Sequence, residues 1–416
     1  MAEKTNQTKE NNGELNTPDF LNHDFFEKVL QNDEGDKALK IYKLEIILAS
    51  KPGEHIASIM FKAIIDYISR GRKVTGRRLI VKTTPVEEGL RKDLLKEHPF
   101  FDREIEMYTK VLPEMKKIMK SIGDDEEMWG KIVYCCDDPA VIILDDVTMS
   151  GYSMDNHLQN FDDTMTILKM LAKFHAISFY MNDNKYAHKL DLTKYEAVLS
   201  EDLIKNFQVF FEGFEALKEQ VDKWPGYEKV SKTLIDLNTK FPERLTKVFK
   251  SNSDFSILCH GDFHVRNMMF IKNGKSIEKT VLLDYQLSFW GSQAIDIIYT
   301  FYTIADDEAL ARRDELLFNY HVYFCEYLTR LGCLKKPPSL LDLNKEILDN
   351  GAIDLFMGIC CLPLFRMDYS KTDLTAFADP TRDGVTAVRR MAYSEAKTVK
   401  MLKRVLPELV HKGILY

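Results

Sequence analysis

At 416 residues, with 45% hydrophobic and 29% charged residues, the chain has an ordinary globular composition and the length for two lobes. Its net charge of −7, with no strong basic block, speaks against nucleic-acid binding, which depends on Lys and Arg neutralising phosphates. No stretch approaches the roughly 20 apolar residues of a membrane span, and the polar run Met1–Pro18 lacks the apolar core of a signal peptide.

In chain order, residues 1–18 are polar and aperiodic and read as a disordered tail. Apolar spacing predicts a short helix over Phe20–Leu30 and a strand over Ala38–Ala49, then a turn at Ser50–Glu54. A second strand follows over Ile56–Ile68. A basic turn over Arg70–Arg78 leads to a third strand, Leu79-Ile80-Val81-Lys82, ending in a lysine. Gly53 and Ser58 sit where backbone N–H groups and a hydroxyl would approach phosphates, although Gly53 alone reads equally well as a hairpin turn. Asp93–Met119 is helical by pattern, with Pro113 ending or restarting it. Glu104 on this helix is placed to pair with Lys82, and Glu97 and Glu106 are its rivals.

A hairpin over Lys131–Leu144 runs into Asp145-Asp146-Val147, an apolar strand entering a polar connector. Backbone groups at Asp145 and Val147 would suit an adenine-binding hinge. The remainder is helical. Asp162 is the expected cap of a helix over Asp163–Tyr180, where His175 reads as a packed core histidine. Phe207, Phe210, Phe211, Phe214 and Leu217 form a helical stripe, either core or the wall of an apolar cleft, and Tyr227–Phe249 is a further helix. Ser288–Ser292 reads as a loop, Asp296 as the start of a helix to about Ile304, and Ala387–Leu406 as an exposed basic helix. The seven cysteines, with adjacent pairs Cys135-Cys136 and Cys360-Cys361 inside apolar runs, read as buried thiols of a reducing compartment, hence cytoplasmic.

The chemistry concentrates in L-C-H-G-D-F-H-V-R-N (Leu258–Asn267) and V-L-L-D-Y-Q (Val281–Gln286). The first spacing, H-x-D-x-x-x-x-N, equals that of a kinase catalytic loop, and Asp284 stands where a metal-binding Asp would follow. Phosphoryl transfer needs an in-line hydroxyl, a group to take its proton and metal to neutralise charge. Asp262 would take the proton or orient the hydroxyl. Asn267 and Asp284 would offer the hard oxygens that Mg²⁺ prefers. His260 and Asp296 read as supports of the loop, Asp296 by capping its helix or bonding the loop backbone.

The ordered set P-G-E-H-I-A-S, L-I-V-K, F-D-R-E-I-E-M-Y, I-L-D-D-V, L-A-K-F-H-A-I-S, C-H-G-D-F-H-V-R-N and L-D-Y-Q resembles the ecdysteroid kinase-like (CHK kinase-like) family, related more distantly to choline kinases and aminoglycoside phosphotransferases. The resemblance spans roughly residues 38–400. It implies an α+β, bilobal protein-kinase-like fold, with an N-lobe over 19–147 and a helical C-lobe over 148–416. It also implies ATP- and Mg²⁺-dependent phosphorylation of a hydroxyl on a small molecule such as an ecdysteroid or other lipophilic alcohol, and a role in detoxification. Lys82 would bind phosphates and Glu104 would anchor it. Two positions depart from the family pattern: His55, where Asn is more usual, and His264, where many members carry an aromatic such as Trp. His264 is accordingly a candidate acceptor-site residue. A choline- or ethanolamine-type kinase is the alternative, with Trp290, Asp368 and Tyr369 as members of a cation cage. A catalytically inactive binding protein on the same scaffold is a third reading, against which the intact Lys82, Asp262, Asn267 and Asp284 argue. No obligate protein partner is implied.

Overall fold

The computed structural model describes residues 17–49, 58–84, 99–183, 190–198, 208–250, 253–367 and 382–415. The chain divides into two compact units, Met1–Ile105 with Gly130–Ser150, and Glu106–Trp129 with Gly151–Tyr416.

The first unit is a five-stranded antiparallel sheet of order β1-β2-β3-β5-β4, made of β1 (Lys40–Leu48), β2 (Ile59–Ser69), β3 (Arg72–Thr83), β4 (Ile132–Asp137) and β5 (Ala140–Asp145). The helix α1 (His23–Asp33) starts at Asn22, whose side chain accepts from Phe25 N at 3.1 Å. It lays Phe26, Val29 and Leu30 on one face of the sheet, against Phe61, Ile65, Leu79, Val81 and Ile143. Side chains alternate along a strand. With Leu79 and Val81 turned into this core, Lys82 falls on the opposite face, level with Met60 and Ile142.

The basic run Arg70–Arg78 is not one long turn. Only Arg70 and Gly71 turn, at φ 49° and 73°, and β3 begins at Arg72. Two positive φ values in succession make the tight hairpin turn that matches strand twist. The basic residues that follow are strand positions: Arg72, Lys73 and Arg78 are exposed, and Arg77 bonds Asp33 (3.0 Å), Glu34 (3.2 Å) and Asp145 (2.8 Å). The helix α2 (Phe100–Glu106) supplies Glu104.

In the second unit a π turn, Met107–Val111, leads into α3 (Leu112–Ser121). The expected restart falls at Leu112, where the π turn hands over to α3 with Pro113 in its first turn. Leu112 N bonds back five residues to Met107 O, so the turn widens just before the residue that lacks an N–H. The long helix α4 (Phe161–Met181) is capped by Asn160, which accepts from Asp163 N at 3.0 Å, and not by Asp162, which lies in its first turn. The helices α5 (Gln208–Val221) and α6 (Glu228–Lys250) follow, the former carrying the buried Phe214 and Leu217 of the stripe. Phe207 lies outside the described residues.

Next come four short strands: β6 (Ile257–Cys259), β7 (Met268–Asn273), β8 (Ser276–Leu282) and β9 (Phe289–Gly291). β7 pairs with β8. β9 pairs with β6, so Ser288–Ser292 is mostly strand where a loop is expected. Both β6 and β9 are only three residues long, too short for alternation to show. The helices α7 (Ala294–Thr303), α8 (Asp307–Ala311), α9 (Arg313–Leu331), α10 (Leu340–Asp349) and α11 (Gly351–Phe356) follow.

A second π turn, Met357–Cys361, precedes Pro363 in α12 (Leu362–Arg366), repeating the device used at Pro113. The C-terminal basic stretch is two helices, α13 (Arg382–Ser394) and α14 (Ala396–His411), parted at the extended residue Glu395. It is not simply exposed, because α14 buries Met401, Leu402, Val405, Leu406 and Leu409. Among the described residues no single helix is long and apolar enough to cross a membrane.

Candidate active site

In the first unit Lys82 Nζ lies 2.5 Å from Glu104 Oε2, with 5% of Lys82 and 1% of Glu104 exposed. Of the three glutamates the sequence offers, Glu104 is the one on Lys82. Glu106 pairs with Lys110 and Lys194 at the surface, and Glu97 lies outside the described residues. Gly53 and His55 also lie outside them, while Ser58 is buried where the chain enters β2. At the end of β5, Asp145 N donates to Lys131 O at 3.0 Å, so that N–H is spent inside the sheet. Half-buried Val147 opens a single 3₁₀ turn to Ser150.

In the second unit the H-G-D loop leaves β6 and is anchored by one carboxylate. Asp296, fully buried in the first turn of α7, accepts from His260 N at 2.6 Å and from Gly261 N at 3.0 Å. His175 of α4 lies 3.0 Å from the same carboxylate through Nε2, and 2.7 Å from the Tyr320 hydroxyl through Nδ1. Gly261 has φ +82°, and a Cβ there would stand 2.2 Å from Leu287 O, so only glycine fits the turn.

His260 Nε2 lies 3.0 Å from Leu283 O. A carbonyl only accepts, so Nε2 carries the proton and Nδ1 faces Asp262 N at 3.4 Å. Burial depresses the pKa of this imidazole, outweighing the nearby carboxylates, which keeps it neutral. Ser288 Oγ donates to His260 O at 3.2 Å.

The functional groups follow from this frame. Asn267 Nδ2 donates to both Asp262 O (3.0 Å) and Asp262 Oδ2 (2.9 Å). Asn267 O accepts from Leu283 N at 2.9 Å. His260 and Asn267 thus grip Leu283 from its two backbone groups and deliver the next residue, Asp284, in a left-handed conformation at φ 64°. His264 Nε2 lies 3.3 Å from Asp262 Oδ1. Burial would raise the Asp262 carboxyl, but His264, then His260 and Asn267, override it and hold the group below the usual carboxylate range.

The structure therefore brings Asp262, Asn267, His260, His264 and Asp296 into direct contact and joins Asp284 through Leu283. Trp290 is 6% exposed in β9, with its backbone N–H on Tyr195 O at 2.6 Å. Asp368 and Tyr369 lie outside the described residues. The link from His175 and Tyr320 to Asp296 had no sequence signal, since the apolar helix around His175 says only that the ring is buried.

Among the described residues no group of three or more His, Cys, Asp or Glu side chains is placed to hold a metal ion. The donor set still suits Mg²⁺, which takes one or two protein oxygens and completes its shell with phosphate and water. Because Nδ2 of Asn267 is committed to Asp262, its Oδ1 is the end left to face a ligand, and Asp284 adds a carboxylate.

An antiparallel sheet carrying a glutamate-held lysine, followed by a mainly helical unit with the H-G-D loop and a later aspartate, defines the bilobal α+β protein-kinase-like class. Within that class the chain belongs to the ecdysteroid kinase-like family, whose model matches residues 52–333, about two thirds of its length, and which is a family of small-molecule kinases. Comparison with curated proteins gives no match.

Solved structures similar to it include an ethanolamine kinase from Plasmodium vivax (14% identity, 91% of this chain and 89% of that one, TM-score 0.40). A choline kinase from Streptococcus pneumoniae is 13% identical over 91% of this chain and 99% of that one, with TM-score 0.37. A microcompartment-associated aminopropanol kinase is 11% identical over 94% and 99%, with TM-score 0.44. Likenesses this low carry neither substrate nor residue roles to this chain.

Proposed function

We propose that the protein is an ATP- and Mg²⁺-dependent kinase that phosphorylates a hydroxyl of a small molecule, of the ecdysteroid or other lipophilic-alcohol kind. The observation that carries this reading is the Asn267 amide, which bonds the Asp262 carboxylate and the Asp262 carbonyl at once and so fixes a carboxylate and an amide oxygen in one loop. Asp262, depressed below the usual carboxylate range, is ionised at neutral pH and can receive the acceptor's proton as its oxygen attacks. Asn267 and Asp284 would hold Mg²⁺, which when bound supplies neutralisation of phosphate charge. Lys82, kept in place by Glu104, would bind the nucleotide phosphates. Ser58 and Gly53 would approach those phosphates, and the Asp145–Val147 connector would meet the base. Asp296 and His260 keep the loop in shape. All seven cysteines are free thiols, which supports residence in the cytoplasm.

The test is ATP consumption with Mg²⁺ against ecdysteroids, sterols, plant phenolics, choline and ethanolamine. Turnover is expected on a polyhydroxylated lipophilic class. Asp262→Asn should lower it at least about 100-fold while nucleotide still binds. An Asp262→Asn variant with wild-type turnover would remove Asp262 from the mechanism, and turnover on choline alone would replace the proposed acceptor.

A further inference from the structure

The loop around Asp262 holds one polar side chain that phosphoryl transfer does not itself call for. His264 Nε2 is 3.3 Å from Asp262 Oδ1, with the imidazole 16% and the carboxylate 24% exposed. Asn267 Nδ2 is 2.9 Å from the other oxygen, Oδ2. Each carboxylate oxygen thus has its own polar neighbour, the imidazole nitrogen at ion-pair distance from Oδ1 and the amide donor on Oδ2. A carboxylate held at one oxygen still swings about its broad terminal torsion, whereas one held at both loses a charge-assisted bond if it turns.

The imidazole is itself pinned. Its ring centroid is 5.3 Å from that of Phe365 in α12, and the Arg266 guanidinium lies 4.8 Å from the centre of the same Phe365 ring. The backbone closes the turn, with Asn267 N on His264 O at 2.9 Å. The other ring nitrogen, Nδ1, is buried without a hydrogen-bond partner. A bare buried nitrogen makes histidine a poorer packing residue here than phenylalanine would be. Packing on Phe365 therefore does not account for a histidine, and the charge contact with Asp262 does.

We infer that His264, braced by Phe365, is a positioning residue that sets the orientation of the Asp262 carboxylate toward the acceptor hydroxyl. The inference rests on Asp262 being the group that takes the acceptor's proton. Its consequence falls on the chemical step and leaves nucleotide affinity alone.

Two variants separate donor from ring. His264→Phe keeps the ring on Phe365 and removes the donor, and His264→Gln keeps an N–H near the position of Nε2. His264→Phe should lower kcat about tenfold, the scale of a misdirected reacting group, and His264→Gln should recover part of that loss. KM for ATP should stay within about twofold in both, because only transition-state interactions are lost. Phe365→Leu should lower kcat in the wild-type background and add nothing to His264→Phe. Wild-type kcat in His264→Phe, or equal impairment in the two His264 variants, would overturn the inference.

Proton NMR of the full chain gives a readout independent of turnover. An exchange-protected imidazole N–H signal should vanish in His264→Phe and shift in Asp262→Asn, and a signal unmoved by Asp262→Asn would overturn the contact. If Asp262→Asn keeps its kcat while the signal shifts, the assignment of Asp262 as proton acceptor has failed and the contact stands.

Discussion

Gly261 shows how one residue type can be dictated from two directions. Its φ of +82° disfavours any side chain, and a Cβ would meet Leu287 O at 2.2 Å and Leu287 C at 2.8 Å. These neighbours are backbone, fixed by the Ser288 and β9 contacts, and cannot give way as a flexible side chain would. Gly261→Ala should therefore destabilise the protein by at least about 2 kcal/mol, combining left-handed strain with overpacking. Urea unfolding monitored by tryptophan fluorescence would measure it, and an unchanged midpoint would show that the loop relaxes. Activity should fall further than stability, because Gly261 directly precedes Asp262 and a shift in its turn moves that carboxylate. At this scale much of the site was legible in the sequence. His260, Gly261, Asp262 and Asn267 lie within eight consecutive residues, and their spacing is itself the geometric constraint. What spacing did not convey is which atoms meet, such as the Asn267 amide bridging two Asp262 oxygens, or His264 Nε2 lying 3.3 Å from Asp262 Oδ1.

Among elements, the loop is shaped by helices far away in sequence. Asp296 on α7 takes the backbone N–H groups of His260 and Gly261, 36 and 35 residues earlier, and His175 on α4 reaches Asp296 across 121 residues. Asp296→Ala would leave two backbone donors and an imidazole nitrogen buried without their acceptor. At about 1–3 kcal/mol for each orphaned group, partly relieved by water, the expected loss is roughly 3–5 kcal/mol. Asp296→Asn should lose less, since one amide oxygen still accepts. Chemical denaturation of the two variants checks the order, and equal stability of Ala and Asn would count against the anchoring role. Sequence placed Asp296 at a helix start and offered a cap or a loop support as its duty. The loop contact shown here depends on tertiary approach, which periodicity does not encode. The two π turns were illegible for a related reason. Pro113 and Pro363 announce an interruption, but a widened turn and a broken helix carry the same residues, and only packing on both sides selects the former. The turn was read as running over Arg70–Arg78 and not Arg70-Gly71 alone, because charged residues on exposed strand positions mimic a polar loop.

Over the whole molecule, the strands of the sheet and the helical second unit were readable because alternation and helical spacing show in long elements, whereas the strand order β1-β2-β3-β5-β4 came only from the structure. The three-residue strands β6 and β9 gave no such signal. The same molecule-wide distribution of charge sets how stability varies with pH, and two carboxylates should respond with opposite signs. Burial would raise Asp155, but its bonds to Lys272 and His157 outweigh this and hold it down at about 2. A depressed carboxylate binds fewer protons folded than unfolded, so its contribution is complete above its ordinary 3.8 and is lost as pH falls toward 2. Glu346 is the reverse. Burial, aided by Asp349 and Asp342, raises it above its ordinary 4.5 despite bonds from Ser292 (2.8 Å) and Ser253 (2.9 Å). Folded protein then binds the extra proton, so this group costs stability increasingly as pH climbs from about 4.5 through its raised value. Asp155→Asn should accordingly be less stable than wild type at pH 7 and indistinguishable from it near pH 2. Glu346→Gln, which keeps an acceptor for one serine, offers an N–H to the other hydroxyl and removes the charge, should be more stable than wild type at pH 7 and lose that advantage by about pH 4. Denaturant midpoints of both variants across this range measure the two slopes. A Glu346→Gln advantage that grew on acidification would reverse the sign assigned to the buried carboxylate and show that its ionised form is the one the fold prefers.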